Sequence, residues 1–134
     1  MHPGILADAV LVVHLLYVGF TVGGEILVLA GAALGWRWTR SLAFRVTHLA
    51  ACVLVAVEAL AGVLCPLTDW EHTLRTRAGQ HVETDLAFVA RLVRSIIFYD
   101  FPPWVFLCAY IAFGLGVLIT FLLYRPLPRR RRSV

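Results

Sequence analysis

The sequence predicts an all-α protein that folds as a polytopic bundle of membrane helices. Of its 134 residues, 60% are hydrophobic and only 15% are charged, whereas apolar residues make up roughly 45–50% of a soluble globular domain. Three separate stretches reach the length of about 20 apolar residues that a helix needs to cross a bilayer. A chain of this length has room for one domain. We therefore expect one membrane-embedded domain over residues 1–126 and a basic tail over residues 127–134.

The three apolar stretches run over residues 5–34, 42–64 and 103–124. A fourth, shorter stretch over residues 86–98 carries its apolar residues on one helical face and Arg91 and Arg94 on another. This pattern is typical of a short amphipathic helix that lies in the membrane interface. The alternative is that this stretch forms a fourth transmembrane helix.

A turn motif follows the second apolar stretch. Pro66 is expected to end the second helix, because a proline disfavours helical backbone at the residue before it. Thr68, with Glu71 three positions later, has the spacing of a capping box. The motif therefore predicts a new short helix over residues 69–77, ended by Gly79.

Arginine positions predict the orientation of the chain. If three helices cross the membrane, one side of the membrane carries eight arginines, namely Arg37, Arg40, Arg45, Arg125 and Arg129 to Arg132. The residues before the first helix carry no Lys or Arg, and the positive-inside rule then places the N-terminus outside and the C-terminus in the cytoplasm. The arginine tail is expected to bind anionic membrane lipids, and it is too short to predict nucleic-acid binding. Aromatic belts agree with this orientation: Trp36, Trp38 and Tyr124 on the inner side, and Trp70, Tyr99 and Trp104 on the outer side.

Ionisable and polar residues interrupt the first two membrane helices. The first helix carries His14, Tyr17, Thr21 and Glu25, at spacings that place them on one helical face. The second helix carries His48, Cys52 and Glu58. A charged side chain at the bilayer centre costs about 2.5–3.5 kcal/mol on insertion scales, so such residues are by default candidates for a functional site.

The register of a hairpin predicts how these residues pair. If the first two helices run antiparallel about a turn near Trp36, His14 lies level with Glu58, and Glu25 lies level with His48. A buried carboxylate and a buried imidazole can share a proton. Such pairs either lock helix packing or form a site for a ligand, a metal or a proton, and the residues alone leave both readings open. His14 and His48 differ in depth by roughly 16 Å at 1.5 Å per residue, so they cannot hold one haem iron within this hairpin.

Glycines and cysteines give weaker indications. Gly19 with Gly23, and Gly31 with Gly35, have the Gly-x-x-x-Gly spacing that lets membrane helices approach closely, and Gly114 and Gly116 lie in the third apolar stretch. The three cysteines include no Cys-x-x-Cys motif, which argues against a thiol oxidoreductase. A disulfide between Cys65 and Cys108 is conceivable. The spacing of His72 and His81 matches no standard zinc site, so no metal site is predicted and the sequence identifies no cofactor.

The run Cys65-Pro66-Leu67-Thr68-Asp69-Trp70-Glu71, followed by Leu74-Arg75 and Ala78-Gly79, resembles a family of uncharacterised bacterial membrane proteins, the domain of unknown function 2784. The likeness includes His14 in the first helix and covers roughly residues 5–123. The resemblance implies a compact helix bundle in a bacterial inner membrane, and it implies no activity.

Two functions fit these observations best. A third, a transporter or channel, ranks last because three or four helices can line a path only as an oligomer and no inverted repeat is visible. The first is a non-enzymatic protein, either an accessory subunit of a larger membrane complex or a binder of a hydrophobic ligand, and self-association is compatible with it. The second is a redox or proton-relay component that uses His14 with Glu58 and Glu25 with His48, together with a metal or a quinone. The sequence carries no catalytic signature, so the first function is the favoured hypothesis.

Overall fold

A computed structural model describes residues 2–82 and 86–127. Within these ranges the chain forms five α-helices and one short 3-10 helix, and no strand. The α-helices are α1 (Pro3–Leu34), α2 (Leu42–Ala61), α3 (Pro66–Arg77), α4 (Phe88–Ile97) and α5 (Pro103–Leu123), and the 3-10 helix is Trp38–Arg40. The prediction of an all-α fold is confirmed.

Three of these helices, α1, α2 and α5, are long and apolar enough to cross a membrane, and they correspond to the three predicted stretches. Helix α4 has 10 residues, about half the length that a crossing requires. The structure therefore supports the short amphipathic helix rather than a fourth crossing.

The connection between α2 and α3 differs from its prediction. Helix α2 ends at Ala61 because Gly62 adopts a left-handed conformation with φ of 66°, which a residue without a Cβ reaches at little cost. Pro66 does not end that helix but occupies the first turn of α3, whose N-cap is Cys65. Thr68 consequently lies inside α3, and the predicted capping box with Glu71 is wrong. Proline suits this first position since its missing N–H would have no helical partner.

The helices associate as two closely packed pairs, and α1 and α2 also form the predicted antiparallel hairpin, in which Tyr17 binds Ala51 and His48 lies against Gly24. Helix α1 packs mainly against α3, and α2 packs mainly against α5, whereas the contact between α1 and α2 is much smaller. Helix α3 runs antiparallel to the first half of α1: Arg75 near its end reaches Asp8, and Gln80 beyond it lies beside Gly4. The space between the two pairs is therefore incompletely filled.

The two ends of the bundle differ in character. The end formed by residues 35–41 and 124–127, which we call the basic end, is held together by Arg40, whose Nε and Nη2 atoms donate to the Arg125 carbonyl at 3.3 and 3.1 Å. The opposite end, which we call the capped end, is covered by α3 and α4. Helix α1 has 32 residues and α2 has 20, so at 1.5 Å per residue α1 is longer by about 18 Å. The first turns of α1 extend beyond α2, and α3 packs on this extension.

Close approach occurs at Gly24, against His48, and at Gly31, against Thr39, and only Gly31 was among the predicted glycines. A Cβ at Gly19 or Gly23 would meet no atom within 4 Å, whereas a Cβ at Gly24 would lie 2.7 Å from Nε2 of His48. The spacing of Gly19 and Gly23 therefore does not mark a packing surface in this chain. Gly24 does, because only a residue without a side chain lets the imidazole of His48 lie against α1.

Candidate functional site

A cavity of about 340 Å³ lies between the two helix pairs, towards the capped end. Helix α1 forms one wall, α2 and α5 form the opposite wall, and the α2–α3 connection and the start of α4 close the end. Its volume lies within the range of small-molecule sites, about 300–1,000 Å³. The lining residues are largely apolar, and the polar ones among them are His14, Tyr17, Thr21, Cys52, Glu58, Cys65, Thr68 and Tyr110. Most of the polar residues singled out from the sequence thus meet at one cavity.

His14 lies on the α1 wall near the closed end of the cavity. Its ring stacks on Phe88, with ring centroids 4.1 Å apart, and only 5% of the residue is exposed. Its Nδ1 atom is buried and has no hydrogen-bond partner within the described residues. The charges of Glu71 and Arg91 act on the ring from the capped end. His14 therefore separates the cavity from a charged cluster.

Tyr17 and Glu58 lie on opposite walls. The Tyr17 hydroxyl donates a hydrogen bond of 2.8 Å to the Ala51 carbonyl, which joins α1 to α2 beside the cavity. The Glu58 carboxylate lies near enough to interact electrostatically with Tyr17 and with the Cys65 thiol. His14 and Glu58 thus line the same cavity, and no hydrogen bond joins them in the part of the chain that the structure describes.

The second predicted pair, Glu25 with His48, does not form a hydrogen bond among the described residues. His48 is buried, and its Nε2 atom lies 2.8 Å from the Thr21 carbonyl. Because a carbonyl can only accept, Nε2 carries the proton. Cys52 Sγ lies 3.8 Å from the same atom. His48 therefore binds the backbone of α1, and this local relation replaces the expected pairing with Glu25.

Glu25 interacts electrostatically with Arg45, a residue that the sequence analysis used only for orientation. Arg45 is 2% exposed, and it lies over the ring of Phe121 on α5 at 5.4 Å from the ring centroid. Glu25 Oε2 and Arg45 Nε and Nη2 are buried without hydrogen-bond partners within the described ranges. The signal for this pair was present in the sequence as a lone arginine one turn inside an apolar helix.

The capped end is held by ion pairs around Glu71, which is 1% exposed. Its carboxylate accepts from Arg75 at 2.8 Å and from Arg91 of α4 at 2.6 Å, and Arg75 also reaches Asp8 of α1 at 3.1 Å. Burial alone would raise the pKa of Glu71, but the hydrogen bonds and charges of Arg91 and Arg75 outweigh it and hold the pKa below its usual value. The ion pair of Glu71 with Arg91 therefore joins α3 to α4, and the ion pair of Arg75 with Asp8 joins α3 to α1.

The other members of the predicted turn motif have separate roles. Thr68 lines the cavity, and its hydroxyl oxygen is buried without a partner among the described residues. Burial raises the pKa of the Cys65 thiol, and the nearby Glu58 carboxylate adds to this rise. Cys65 and Cys108 are both free thiols, so the conceivable disulfide is not formed. Pro66 starts α3 and so fixes where Cys65 and Thr68 face the cavity.

Metal ligation finds no support among the described residues, since no group of three or more His, Cys, Asp or Glu side chains is placed to hold an ion.

Several residues that line the cavity were not identified from the sequence. Phe88, Tyr110 and Phe113 line the cavity from α4 and α5. They read as ordinary apolar residues of their helices, and only the tertiary arrangement brings them to the site.

Comparison with known proteins gives a family and no activity. No curated protein and no solved structure matches the chain. The model of one family, described as Protein of Unknown function (DUF2784), matches residues 4–126. This match covers the whole bundle, including both walls of the cavity and its closed end. The chain therefore belongs to the DUF2784 family of proteins of unknown function.

Proposed function

We propose that this protein is a non-enzymatic, multi-pass protein of a bacterial inner (cytoplasmic) membrane that binds a small hydrophobic ligand in the cavity between its two helix pairs. The observation that carries the proposal is a cavity of about 340 Å³ whose lining is largely apolar and includes a few polar side chains, among them His14, Glu58 and Thr68. Small-molecule sites typically combine an apolar lining with a small number of polar groups that orient the ligand, so a ligand with an apolar chain and a polar head fits this site.

The proposed orientation places the capped end outside and the basic end in the cytoplasm. Arg37, Arg40 and Arg125 lie at the basic end, as the positive-inside rule requires of the cytoplasmic side. The aromatic residues of both predicted belts are exposed on the bundle surface, with Trp36, Trp38 and Tyr124 at one end and Trp70, Tyr99 and Trp104 at the other. Membrane lipids are accordingly the proposed neighbours of the exposed helix faces.

The test compares two substitutions of the same type on one helix. Ala59 lines the cavity, whereas Ala50 is exposed on the bundle surface. Ala59→Phe should fill the cavity, and Ala50→Phe should only enlarge the outer surface. The purified wild-type protein, reconstituted in lipid nanodiscs, is expected to bind neutral medium-chain amphiphiles, measured by native mass spectrometry.

Binding should be lost in Ala59→Phe and retained in Ala50→Phe. If the wild-type protein takes up no amphiphile, or if both variants bind as the wild type does, the cavity is not a ligand site. If the cavity does bind amphiphiles, mass spectrometry of the lipids and cofactors that remain with the detergent-purified wild type identifies the class of the natural ligand. A larger membrane protein that co-purifies would support the accessory-subunit form of the proposal.

A second candidate is a proton-relay or redox component, and the placement of His14 and Glu58 on one cavity favours it. A quinone would fit the chemistry of this cavity, because it combines an apolar body with hydrogen-bonding carbonyl groups. This candidate predicts visible absorption or bound quinone in the purified protein and a respiration defect in cells that carry Glu58→Gln. Blank spectra together with unchanged respiration would remove its basis.

A further inference from the structure

We infer that the cavity selects amphiphiles by the charge of the head group and prefers an ammonium head to a carboxylate head. This inference rests on the proposed function, since it names the class of ligand for the same site. Glu58 is the only lining residue among Asp, Glu, Lys and Arg in the part of the chain that the structure describes. The cavity therefore presents one carboxylate and the imidazole of His14, but no Lys or Arg side chain, to a bound head group.

Neighbouring charges do not offset Glu58. No salt bridge joins Glu58 to a basic residue within the described ranges, and its polar neighbours are the phenol of Tyr17 and the thiol of Cys65. Arg91 is a basic group behind the cavity wall, and its charge acts on His14. Its guanidinium is bound to Glu71 at 2.6 and 3.4 Å, so the two charges of that pair largely cancel at the cavity.

The chemistry of the site follows from this charge. Coulomb attraction is much stronger in a low-dielectric environment than in water, so a cation beside Glu58 gains more than it would at an exposed carboxylate. An ammonium group also offers up to three N–H donors and forms a charge-assisted hydrogen bond with the carboxylate. A carboxylate head would instead meet Glu58 as a like charge. The affinity of a neutral alcohol head group should lie between those of the ammonium and the carboxylate.

The volume sets the length of the chain that the head group carries. At roughly 30 Å³ for each methylene-sized group, which is the share of one water molecule in the liquid, a cavity of about 340 Å³ accommodates on the order of ten such groups. Single-chain amphiphiles with about ten carbon atoms therefore match the space. A two-chain phospholipid exceeds it.

The experiment uses the full-length protein in phosphatidylcholine nanodiscs and three probes of equal chain length: decylamine, decanol and decanoate. Native mass spectrometry measures the apparent affinity of each. We expect decylamine to bind at least about tenfold more tightly than decanoate, with decanol between them. Glu58→Gln keeps the size of the side chain and removes its charge, so the ratio should fall to about one.

The matched control is Asp69→Asn, which removes the same charge from an exposed position at the capped end and should leave the ratio unchanged. Partition into the lipid is the same for all three proteins, so a difference between them reports the cavity. If Glu58→Gln does not fold, the wild-type ratio decides the question, and the loss of decylamine binding in Ala59→Phe shows that the ratio reports the cavity.

The possible outcomes distinguish ligand binding in the cavity from selection by the charge of the head group. If none of the three probes binds to the wild-type protein, the proposed function fails. If decanol, decanoate and decylamine bind with equal affinity, ligand binding stands and the selection by charge is wrong. If Asp69→Asn changes the ratio as much as Glu58→Gln does, the preference reflects the surface charge of the capped end, and the inference is likewise overturned.

Discussion

The imidazole ring of His14 stacks on the phenyl ring of Phe88, with centroids 4.1 Å apart and planes inclined by 21°. This contact joins the middle of α1 to the first residue of α4 at the closed end of the cavity. Both residues are buried. Because Arg91, one turn further along α4, is bound to Glu71, the stacked rings and the ion pair hold α4 on the bundle at two neighbouring points.

Replacing Phe88 by alanine should weaken this attachment. Phe→Ala at a buried position typically lowers the free energy of unfolding by about 3–5 kcal/mol, and we expect a loss near the lower value, with increased access of solutes to the cavity. Thermal unfolding in detergent measures the loss. Phe98→Ala is the matched control: this residue ends the same helix and is 90% exposed, so a change within about 0.5 kcal/mol is expected. Equal effects of the two variants would contradict the assigned role of Phe88.

Substitution of Glu71 tests the ion pairs of the capped end. Glu71→Gln leaves Arg75 and Arg91 without their buried partner, and breaking a buried pair in this way costs about 3–5 kcal/mol. Asp8→Asn removes an exposed partner of the same Arg75, and exposed pairs contribute about 0–1 kcal/mol. Unfolding experiments on both variants should therefore give a large loss for Glu71 and a small one for Asp8. If Asp8→Asn lowered the free energy of unfolding more than Glu71→Gln does, the ion pair with α1 would be the main stabilising contact of the network.

Stability should also fall in acid because of Glu71. Its folded-state pKa lies below the ordinary value of 4.5, so the unfolded chain takes up the proton more readily than the folded chain does. The contribution of Glu71 is thus fully present above pH 4.5 and is lost as pH falls through the lower folded pKa. Melting temperatures measured from neutral pH downwards should decline more steeply below that point in the wild type than in Glu71→Gln. Parallel declines would mean that Glu71 is not the responsible group.

His72 should add a separate step at higher pH. Burial, followed by the charge of Arg91, lowers the pKa of His72 below its ordinary 6.5. Since the unfolded chain binds this proton more readily, stability should begin to fall as pH drops below about 6.5. His72→Gln should remove this step and leave the acid decline of Glu71 in place. The two variants together assign each part of the pH profile to its group.

Local patterns predicted much of the fold, because helix length and apolar composition are properties of contiguous residues. Leu42 and Pro103 begin their helices at the predicted positions. The error at Pro66 has a local cause: Gly62 ended α2 four residues earlier through its left-handed backbone, so the proline was free to start the next helix. A proline is compatible with both roles, and the preceding glycine decided between them.

The site was less predictable, since it depends on which helices pair. The hairpin of α1 and α2 brings His14 and Glu58 to one cavity, but Glu25 and His48 form no hydrogen bond among the described residues. Gly24 explains the difference. The imidazole of His48 fits against this glycine and binds the Thr21 carbonyl, a contact that pairing by residue type does not reveal.

The fit of His48 against α1 leads to a test by two adjacent glycines. A Cβ at Gly24 would overlap the imidazole of His48, whereas a Cβ at Gly23 would meet nothing within 4 Å. Gly24→Ala should therefore cost about 1–3 kcal/mol through overpacking. Gly23→Ala should be neutral or slightly stabilising, because alanine favours the helix by up to about 1 kcal/mol. Thermal unfolding of the two variants separates the effects, and equal stabilities would mean that α1 and His48 are not in close contact.

Arg45 and Glu25 should be energetically coupled although no hydrogen bond joins them among the described residues. Arg45→Met leaves the Glu25 carboxylate buried without its opposite charge, and Glu25→Gln leaves Arg45 in the same position, so each variant should lose about 3 kcal/mol. The double variant removes both charges and should lose less than the sum, with a coupling energy within the 0.5–3 kcal/mol found for interacting neighbours. Arg40 binds the Arg125 carbonyl at the basic end, so Arg40→Met combined with Glu25→Gln is the control and should be additive. Additivity in the Arg45 pair as well would show that the two charges are compensated separately, by water or by other polar groups, rather than by each other.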